Sequence, residues 1–293
     1  MTERQNKQNP GLEHNVTKAR SGDREALEAV IQAIRNDVYG LALRFLWHPQ
    51  DAEDATQEIL IRVITGLGSF RGNSGFRTWV YRIACNRLIT LRKQRAEKGA
   101  MRFEEFAGDL AYQDPGGVQQ SPPGSEELLL LEEVKIGCTL AMLLCLDREH
   151  RLAYVLGEVM ELSHQEASQV LEVSPAAFRK RLSRSRDKIK TFMLARCGLV
   201  NADNACRCRN RVSLAIDRGR VNPDQLLFAS SMEVARRFPA VLKKIRQLEA
   251  TRRAAALYRS YSPPEPATSF VSWIRAVIDD PQAMDVEGVS GRE

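Results

Sequence analysis

Long apolar runs are missing from this chain of 293 residues. No stretch approaches the ~20 consecutive apolar residues that a membrane-spanning helix needs. The first fifteen residues, MTERQNKQNPGLEHN, are polar and lack the apolar centre of a signal peptide. These two absences predict a cytoplasmic protein that does not interact with membranes.

Residues and motifs that carry catalysis are also scarce. The four histidines, His14, His48, His150 and His164, are isolated from one another along the sequence. There is no phosphate-binding loop, no G-x-S-x-G nucleophile motif and no H-E-x-x-H metal motif. The sequence therefore predicts a protein that is not an enzyme and that needs no cofactor.

Charge of one sign is not strongly in excess. Lys and Arg number 43 against 37 Asp and Glu, which gives a formal net charge of +6. This balance permits a nucleic-acid partner without demonstrating one. The distribution of charge along the chain therefore matters more than its sum.

Helical periodicity dominates the pattern of apolar residues. They recur every three or four positions, as in Leu27, Val30, Ile31 and Ile34, and strand-like alternation is nowhere sustained. A stretch rich in Pro, Gly and acid, DLAYQDPGGVQQSPPGSEE, interrupts this pattern and cannot bury enough apolar area to hold one conformation. We therefore predict an all-α fold with two small helical domains, at residues 20–96 and 128–196, a flexible acidic linker at 97–127, and a helical extension at 197–293.

The second domain contains the pattern of a helix-turn-helix, MELSHQEASQVLEVSPAAFRKRLSRSRDKIK. Ser163 and Glu166 fit a capping box at the start of one helix. After a short turn, Ser174 can cap a second helix that begins at Pro175. That helix has an apolar stripe and is otherwise densely basic, which suits a helix that enters the major groove. The alternative is an ordinary helical hairpin with a solvated basic face.

The first domain interleaves aromatic and basic residues in SFRGNSGFRTWVYRIACNRLITLRKQ, which starts at Ser69. On a helix that begins near Gly75, Phe76 can point inward while Trp79 and Arg82 share another face. Aromatic rings beside arginines suit a separated DNA strand, because bases stack on rings and phosphates pair with guanidinium groups. The alternative is a core helix whose arginines reach out to solvent.

These two segments resemble a known family. HPQDAEDATQEILIRVITGLGSFRGNSGFRTWVYRIACNRL resembles region 2 of bacterial extracytoplasmic-function (ECF) sigma factors, and MELSHQEASQVLEVSPAAFRKRLSRSRDKI resembles their region 4. The resemblance covers residues 26–95 and 128–195. It implies a factor that binds core RNA polymerase, melts the minus-ten element of promoter DNA through region 2 and recognises the minus-thirty-five element through region 4.

The resemblance also assigns roles to individual residues. Five would meet the β′ clamp helices of the polymerase: Asp51, Glu53, Asp54, Gln57 and Glu58. Ten would contact the minus-ten element: Phe70, Arg71, Asn73, Ser74, Phe76, Trp79, Tyr81, Arg82, Asn86 and Arg87. Seven would contact the minus-thirty-five element: Ser174, Ala176, Ala177, Arg179, Lys180, Ser183 and Arg184. Tyr81 could instead belong to the core.

The partners implied are core RNA polymerase, through its β′ clamp helices and β subunit, promoter DNA, and an anti-sigma factor where one exists. The resemblance implies a monomer when the chain is free. The competing function is a helix-turn-helix regulator that binds DNA without replacing the primary sigma factor. Such a regulator would leave the acidic face and the aromatic segment of the first domain without a role.

The extension invites a separate hypothesis, because Cys197, Cys206 and Cys208 stand close together. Neighbouring arginines would lower the pKa values of their thiols. Three thiolates could hold zinc or copper with a fourth ligand, or two could form a redox-sensitive disulfide. Structural cysteines are the simpler alternative, because C-x-C alone is not a standard zinc spacing. Farther on, LKKIRQLEATRRAAALYRSY predicts one amphipathic helix, and the resemblance suggests that the extension regulates the factor.

Overall fold

The computed structural model describes residues 10–95, 102–111, 124–261 and Ala276. Among residues 10–95, the first domain forms a bundle of four α-helices. These are α1 (Pro10–Arg20), α2 (Arg24–Leu46), α3 (Pro49–Gly66) and α4 (Phe76–Arg95).

Local sequence explains where these helices begin and which face they bury. The Asp23 carboxylate accepts a hydrogen bond from the Ala26 amide at 3.0 Å and so caps α2. Pro49, which has no amide hydrogen to satisfy, starts α3. Val30, Ile34 and other apolar residues of α2 are fully buried against α1 and α3. Each such burial stabilises the fold by roughly 1.5–3 kcal/mol.

The second domain also consists of helices, with the helix-turn-helix at its end. Its helices are α6 (Ser125–Leu144), α7 (Arg148–Tyr154), α8 (His164–Val170) and α9 (Pro175–Arg196). A wide helical turn, Val155–Val159, follows α7. Gly157 in this turn lies against α9, where an added Cβ would come within 2.8 Å of a Leu182 methyl group. The glycine therefore permits the close approach of α9 to this turn.

Part of the predicted flexible linker is helical. Residues Phe103–Ala111 form α5, and Phe103 and Phe106 both pack on Phe192 of α9, with ring centroids 5.1 and 5.6 Å apart. The prediction of a flexible linker at 97–127 therefore does not hold for residues 102–111, nor for 125–127, which form the first turn of α6. The two phenylalanines, three positions apart, supply the apolar stripe that the surrounding composition obscured. Linker residues 97–101 and 112–123 lie outside the described part of the chain.

The extension folds back over the second domain. It contains α10 (Val212–Asp217), α11 (Met232–Gln247) and α12 (Ala250–Arg259). The single helix predicted for this stretch is wrong, because the chain turns at Leu248, which is exposed. The turn lets Ile245 of α11 and Tyr258 of α12 both reach the interior, where Tyr258 contacts Tyr154 edge-on at 5.4 Å. The extension beyond Tyr261, apart from Ala276, is not described.

Arg151 joins the two domains. Its side chain is completely buried. The guanidinium group donates to the carbonyl of Phe45 in α2 at 2.8 Å and to three carbonyls at the end of α6 and just beyond it, those of Leu143, Leu144 and Leu146. One cation thus satisfies carbonyls near the C-terminal ends of two helices, one from each domain.

The described helices confirm the all-α fold class. None of them has both the length and the apolarity required to cross a membrane.

Candidate nucleic-acid interface

The helix-turn-helix has the caps expected from its sequence. The Ser163 hydroxyl accepts from the Glu166 amide at 3.2 Å while the Glu166 carboxylate accepts from the Ser163 amide at 3.0 Å, which completes the capping box of α8. At the start of α9, the Ser174 hydroxyl accepts from the Ala177 amide at 3.2 Å. These bonds fix the direction in which α9 leaves the turn.

The two sides of α9 differ sharply. Phe178, Leu182 and Ile189 are buried and hold the helix on the second domain. Of the seven residues predicted to contact the minus-thirty-five element, Ala177 is half-buried and six are exposed: Ser174, Ala176, Arg179, Lys180, Ser183 and Arg184. The first turns of α9 therefore present cations and small polar groups to solvent, a surface suited to phosphates and base edges.

Most of the aromatic rings predicted to contact the minus-ten element are buried inside the first domain. Phe70, Phe76 and Trp79 form one cluster with centroids 5.4–5.7 Å apart. Phe76 is 0% exposed, Phe70 6% and Tyr81 7%. These three rings therefore cannot stack on bases in this arrangement, contrary to the expectation for them. They bury apolar area and support the loop before α4, and only Trp79 of the cluster is half-buried.

Polar residues of the same segment remain at the surface. Arg71, Asn73 and Asn86 are exposed and Ser74 is half-buried. Gly72 has a φ of 73°, a left-handed conformation that favours glycine, so it shapes the loop between the two phenylalanines. The loop and the exposed side of α4 thus form one polar surface.

The two arginines of α4 that were predicted to contact the minus-ten element already have protein partners. Arg87 pairs with Glu58 of α3. The Arg82 Nε donates to the Gln169 carbonyl of α8 at 3.2 Å and lies 3.7 Å from the Glu172 carboxylate. The helix expected to bind a DNA strand therefore contacts the helix-turn-helix in this structure.

The five residues predicted to meet the polymerase lie on α3. Asp54 is exposed, whereas the other four are half-buried: Asp51, Glu53, Gln57 and Glu58. Burial, and then the charge of Glu53, raises the pKa of Tyr39 to about 12. Asp54 accepts a hydrogen bond from Gln50 at 3.3 Å. The acidic side of α3 is thus partly open to a basic partner.

The cysteines of the extension differ from expectation. Burial raises the pKa values of the Cys197, Cys206 and Cys208 thiols, despite the arginines nearby. Cys138 of α6 is their neighbour, and burial followed by the three other sulfurs raises its pKa as well. Lowered thiol pKa values were therefore a wrong prediction. In the described part of the chain, no group of three or more His, Cys, Asp or Glu residues is arranged to hold a metal ion.

An arginine cluster in the extension was missed from the sequence. Arg211, Arg218 and Arg220 all pair with Asp109 of α5, and Arg220 lies 2.6 Å from it. Burial alone would raise the pKa of the Asp109 carboxyl, but Arg220 and the two other guanidinium groups hold that pKa below its ordinary value. The acidic linker thus contacts the extension through an ionic cluster.

A buried carboxylate anchors another part of the extension. Glu133 of α6 is 2% exposed and accepts hydrogen bonds from three consecutive amides, those of Leu227, Phe228 and Ala229, at 2.8–2.9 Å. Phe228 in turn contacts Trp47 of the first domain edge-on at 5.9 Å. Neither contact had a local signal, because Glu133 and Phe228 are 95 residues apart in sequence and Trp47 is farther still from Phe228.

Two parts of the chain match models of known protein families. Residues 30–97 match Sigma-70 region 2, and residues 136–189 match Sigma-70 region 4. The first match falls on the bundle that contains α3 and α4. The second includes the helix-turn-helix.

Two relatives are similar to more than half of the chain. The RNA polymerase sigma-H factor of Pseudomonas aeruginosa is 30% identical over 182 residues, which cover 59% of this chain and 89% of that protein. The ECF RNA polymerase sigma-E factor of Escherichia coli is 28% identical over 180 residues, which cover 59% of this chain and 90% of that protein. The chain therefore spans nearly the whole length of both proteins.

Solved structures are more distantly similar. CnrH in complex with the cytosolic domain of CnrY is 22% identical, with a TM-score of 0.46, and the match covers 66% of this chain and 99% of that one. RpoE of Bartonella quintana, in complex with the anti-sigma factor NepR, is 16% identical with a TM-score of 0.38, over 56% of this chain and 93% of that one.

Proposed function

The chain belongs to the extracytoplasmic-function family of RNA polymerase sigma factors, and on this basis we propose which step of transcription initiation each of its parts performs. It binds core RNA polymerase, recognises specific promoters and initiates transcription. In the proposal, residues 20–96 act on the minus-ten element and 128–196 on the minus-thirty-five element. The segment 97–127 connects the two domains, and 197–293 regulates them.

The polymerase contact is assigned to α3. Its acidic residues lie on a domain whose neighbouring helix is rich in arginine, so a basic protein surface is a better partner for this face than DNA is. We assign the contact with the β′ clamp helices to Asp51, Glu53, Asp54, Gln57 and Glu58. The exposure of Asp54 supports this choice.

The minus-ten contact is assigned to the polar surface of α4 and the loop before it. Arg71, Asn73, Ser74 and Asn86 are accessible to a separated strand. Trp79 and Arg87 are half-buried by contacts within the first domain, and the half-buried Arg82 would become more accessible once α4 leaves α8. Phe70, Phe76 and Tyr81 support this surface from inside the domain.

The minus-thirty-five contact is assigned to the first turns of α9. Major-groove recognition needs a helix whose N-terminal residues reach base edges while nearby cations hold phosphates. Arg179, Lys180 and Arg184 provide such cations, and all three are exposed.

We further propose that the protein is a cytoplasmic monomer without catalytic activity of its own, that it works without a cofactor, and that the polymerase supplies the chemistry. The raised thiol pKa values favour structural cysteines over a redox sensor in the extension. An anti-sigma factor remains a candidate partner for the two domains.

One observation carries the proposal: a region 2 match and a region 4 match occur in this order, and the second presents an exposed, capped, basic helix. The test is run-off transcription with purified core polymerase, on promoters found by sequencing polymerase-bound DNA. The full chain should direct discrete starts. Lys180→Ala should reduce them severalfold. The control Lys188→Ala, on the same helix two turns farther from the capped end and equally exposed, should not.

The competing function predicts another outcome. A helix-turn-helix regulator would bind duplex DNA specifically without polymerase. Core polymerase together with this chain would then give no discrete transcription starts. That pair of results would overturn the proposal.

A further inference from the structure

The two proposed DNA-binding surfaces of this chain touch each other. Arg82 of α4 is held by the Gln169 carbonyl at 3.2 Å and by Glu172 at 3.7 Å. Glu172 lies in the turn between α8 and α9, only two residues before Ser174, which caps the recognition helix. The strand-binding face of α4 is therefore next to the start of α9.

This contact cannot persist on a promoter. The names of the two elements place them about 25 base pairs apart, or about 85 Å at a rise of ~3.4 Å per base pair. If α5 stays helical at ~1.5 Å per residue and the remainder of the segment from Arg95 to Ser125 is extended, the segment spans up to about 90 Å. The chain is therefore just long enough to separate its domains by that distance once α5 leaves α9. Binding both elements at once thus requires α4 to leave α8.

The extension stabilises the arrangement in which α4 contacts α8, which we call the closed arrangement. Glu133 fixes residues 227–229 through three amide hydrogen bonds. This places Phe228 against Trp47, whose indole nitrogen donates to the Gly137 carbonyl of α6 at 3.2 Å. The extension thus adds contacts at the joint between the first and second domains.

We propose that the polymerase-free chain is self-inhibited: α8 and the turn after it occupy the strand-binding face of α4, and the extension holds them there. Glu172 offers Arg82 a carboxylate where a DNA strand would offer a phosphate. Opening the α4–α8 contact is the step that exposes region 2. This inference rests on the proposed function, which identifies the face of α4 as the strand-binding one.

The experiment compares Glu172→Lys with Glu149→Lys in the full chain. Each replaces an exposed glutamate that pairs with one arginine, Arg82 or Arg181, and each changes the net charge by the same amount. Binding of a fluorescein-labelled single-stranded oligonucleotide is measured by anisotropy without polymerase. Since an exposed ion pair is weak, we expect Glu172→Lys to bind the oligonucleotide about two- to fivefold more tightly than the control. Equal binding by the two variants overturns the proposal.

A distance measurement reports closure independently of DNA binding. Spin labels are placed at Thr90 of α4 and Gln165 of α8, both exposed, through non-canonical residues. The wild type should give one short distance. Glu172→Lys and Glu133→Gln should each add a longer one. A wild-type distribution that is already long, or unchanged distributions in both variants, contradicts the proposal.

Failure of the proposed function would look different. In that case, wild-type chain with core polymerase would give no run-off transcript, whatever the spin-label distances report. If transcription is normal but the spin-label distances contradict closure, only the proposal of self-inhibition is wrong.

Discussion

Replacing Arg151 tests how the two domains are held together. Its buried guanidinium group donates to four backbone carbonyls at 2.6–2.9 Å. Arg151→Met keeps much of the apolar stem but removes every donor, and three of the four bonds, to Leu143, Phe45 and Leu146, are buried. A buried acceptor that loses its partner costs about 1–3 kcal/mol.

The expected change in the free energy of unfolding combines the loss of these hydrogen bonds with the removal of a buried charge. Three buried carbonyls would cost roughly 3–9 kcal/mol together, but the variant no longer buries a charge, which itself costs several kcal/mol in the wild type. Because this offset removes roughly half of that cost, we expect Arg151→Met to lower the free energy of unfolding by about 2–4 kcal/mol. The stability of Arg151→Lys should lie between those of the wild type and Arg151→Met, because one ammonium group cannot donate to all the carbonyls that the planar guanidinium group reaches.

The assay is urea unfolding followed by circular dichroism, with Arg148→Met as the control in the same helix. Arg148 is half-buried and makes none of these carbonyl bonds, so its variant should lie within about 1 kcal/mol of wild type. If Arg151→Met is no less stable than this control, then the guanidinium group does not join the domains as described.

Three further predictions concern the linker and the extension. The pKa of Asp109 is lowered in the folded chain, so its pairing with the extension is fully present above the ordinary pKa of a carboxyl group and is lost as the pH falls below about 4. The NMR chemical shifts of the α5 amides should therefore change in that pH range. The same change in Asp109→Asn would refute the assignment to Asp109. Because Cys197 is buried and burial raises the pKa of its thiol, iodoacetamide at pH 7.5 should label it only after unfolding, as mass spectrometry can show. Rapid labelling of Cys197 in the native chain would contradict its burial. Gly198→Ala should destabilise the extension by more than about 2 kcal/mol, at least an order-of-magnitude loss of folded population, because the new Cβ would lie 2.0 Å from the Cys206 carbonyl oxygen. The control Gly68→Ala, at an exposed position with open space around it, should be close to neutral in thermal unfolding.

Features encoded in neighbouring residues could be predicted from the sequence. The start of α9 follows from Ser174 and Pro175, and its buried side from apolar residues at helical spacing. The missed α5 had a comparable signal, since Phe103 and Phe106 are three positions apart. Its surroundings, rich in Pro, Gly and acid, concealed it.

Features that depend on distant residues could not be predicted. Nothing near Arg151 indicates that its partner in the first domain is Phe45, and nothing near Glu133 indicates the amides at 227–229. The prediction that the aromatic rings are exposed was wrong for a related reason. A ring beside an arginine can face a base or the interior, and only the packing of Phe70, Phe76 and Trp79 into one cluster decides between them.

The measurement that tests the central claim most directly is promoter melting by the reconstituted holoenzyme. A 2-aminopurine probe in the minus-ten element should brighten when core polymerase and this chain are both added, and should stay dark with either alone. Arg82→Ala should reduce the signal several-fold while duplex binding through α9 persists. A probe that stays dark with the complete holoenzyme, or that brightens equally with Arg82→Ala, would contradict the account.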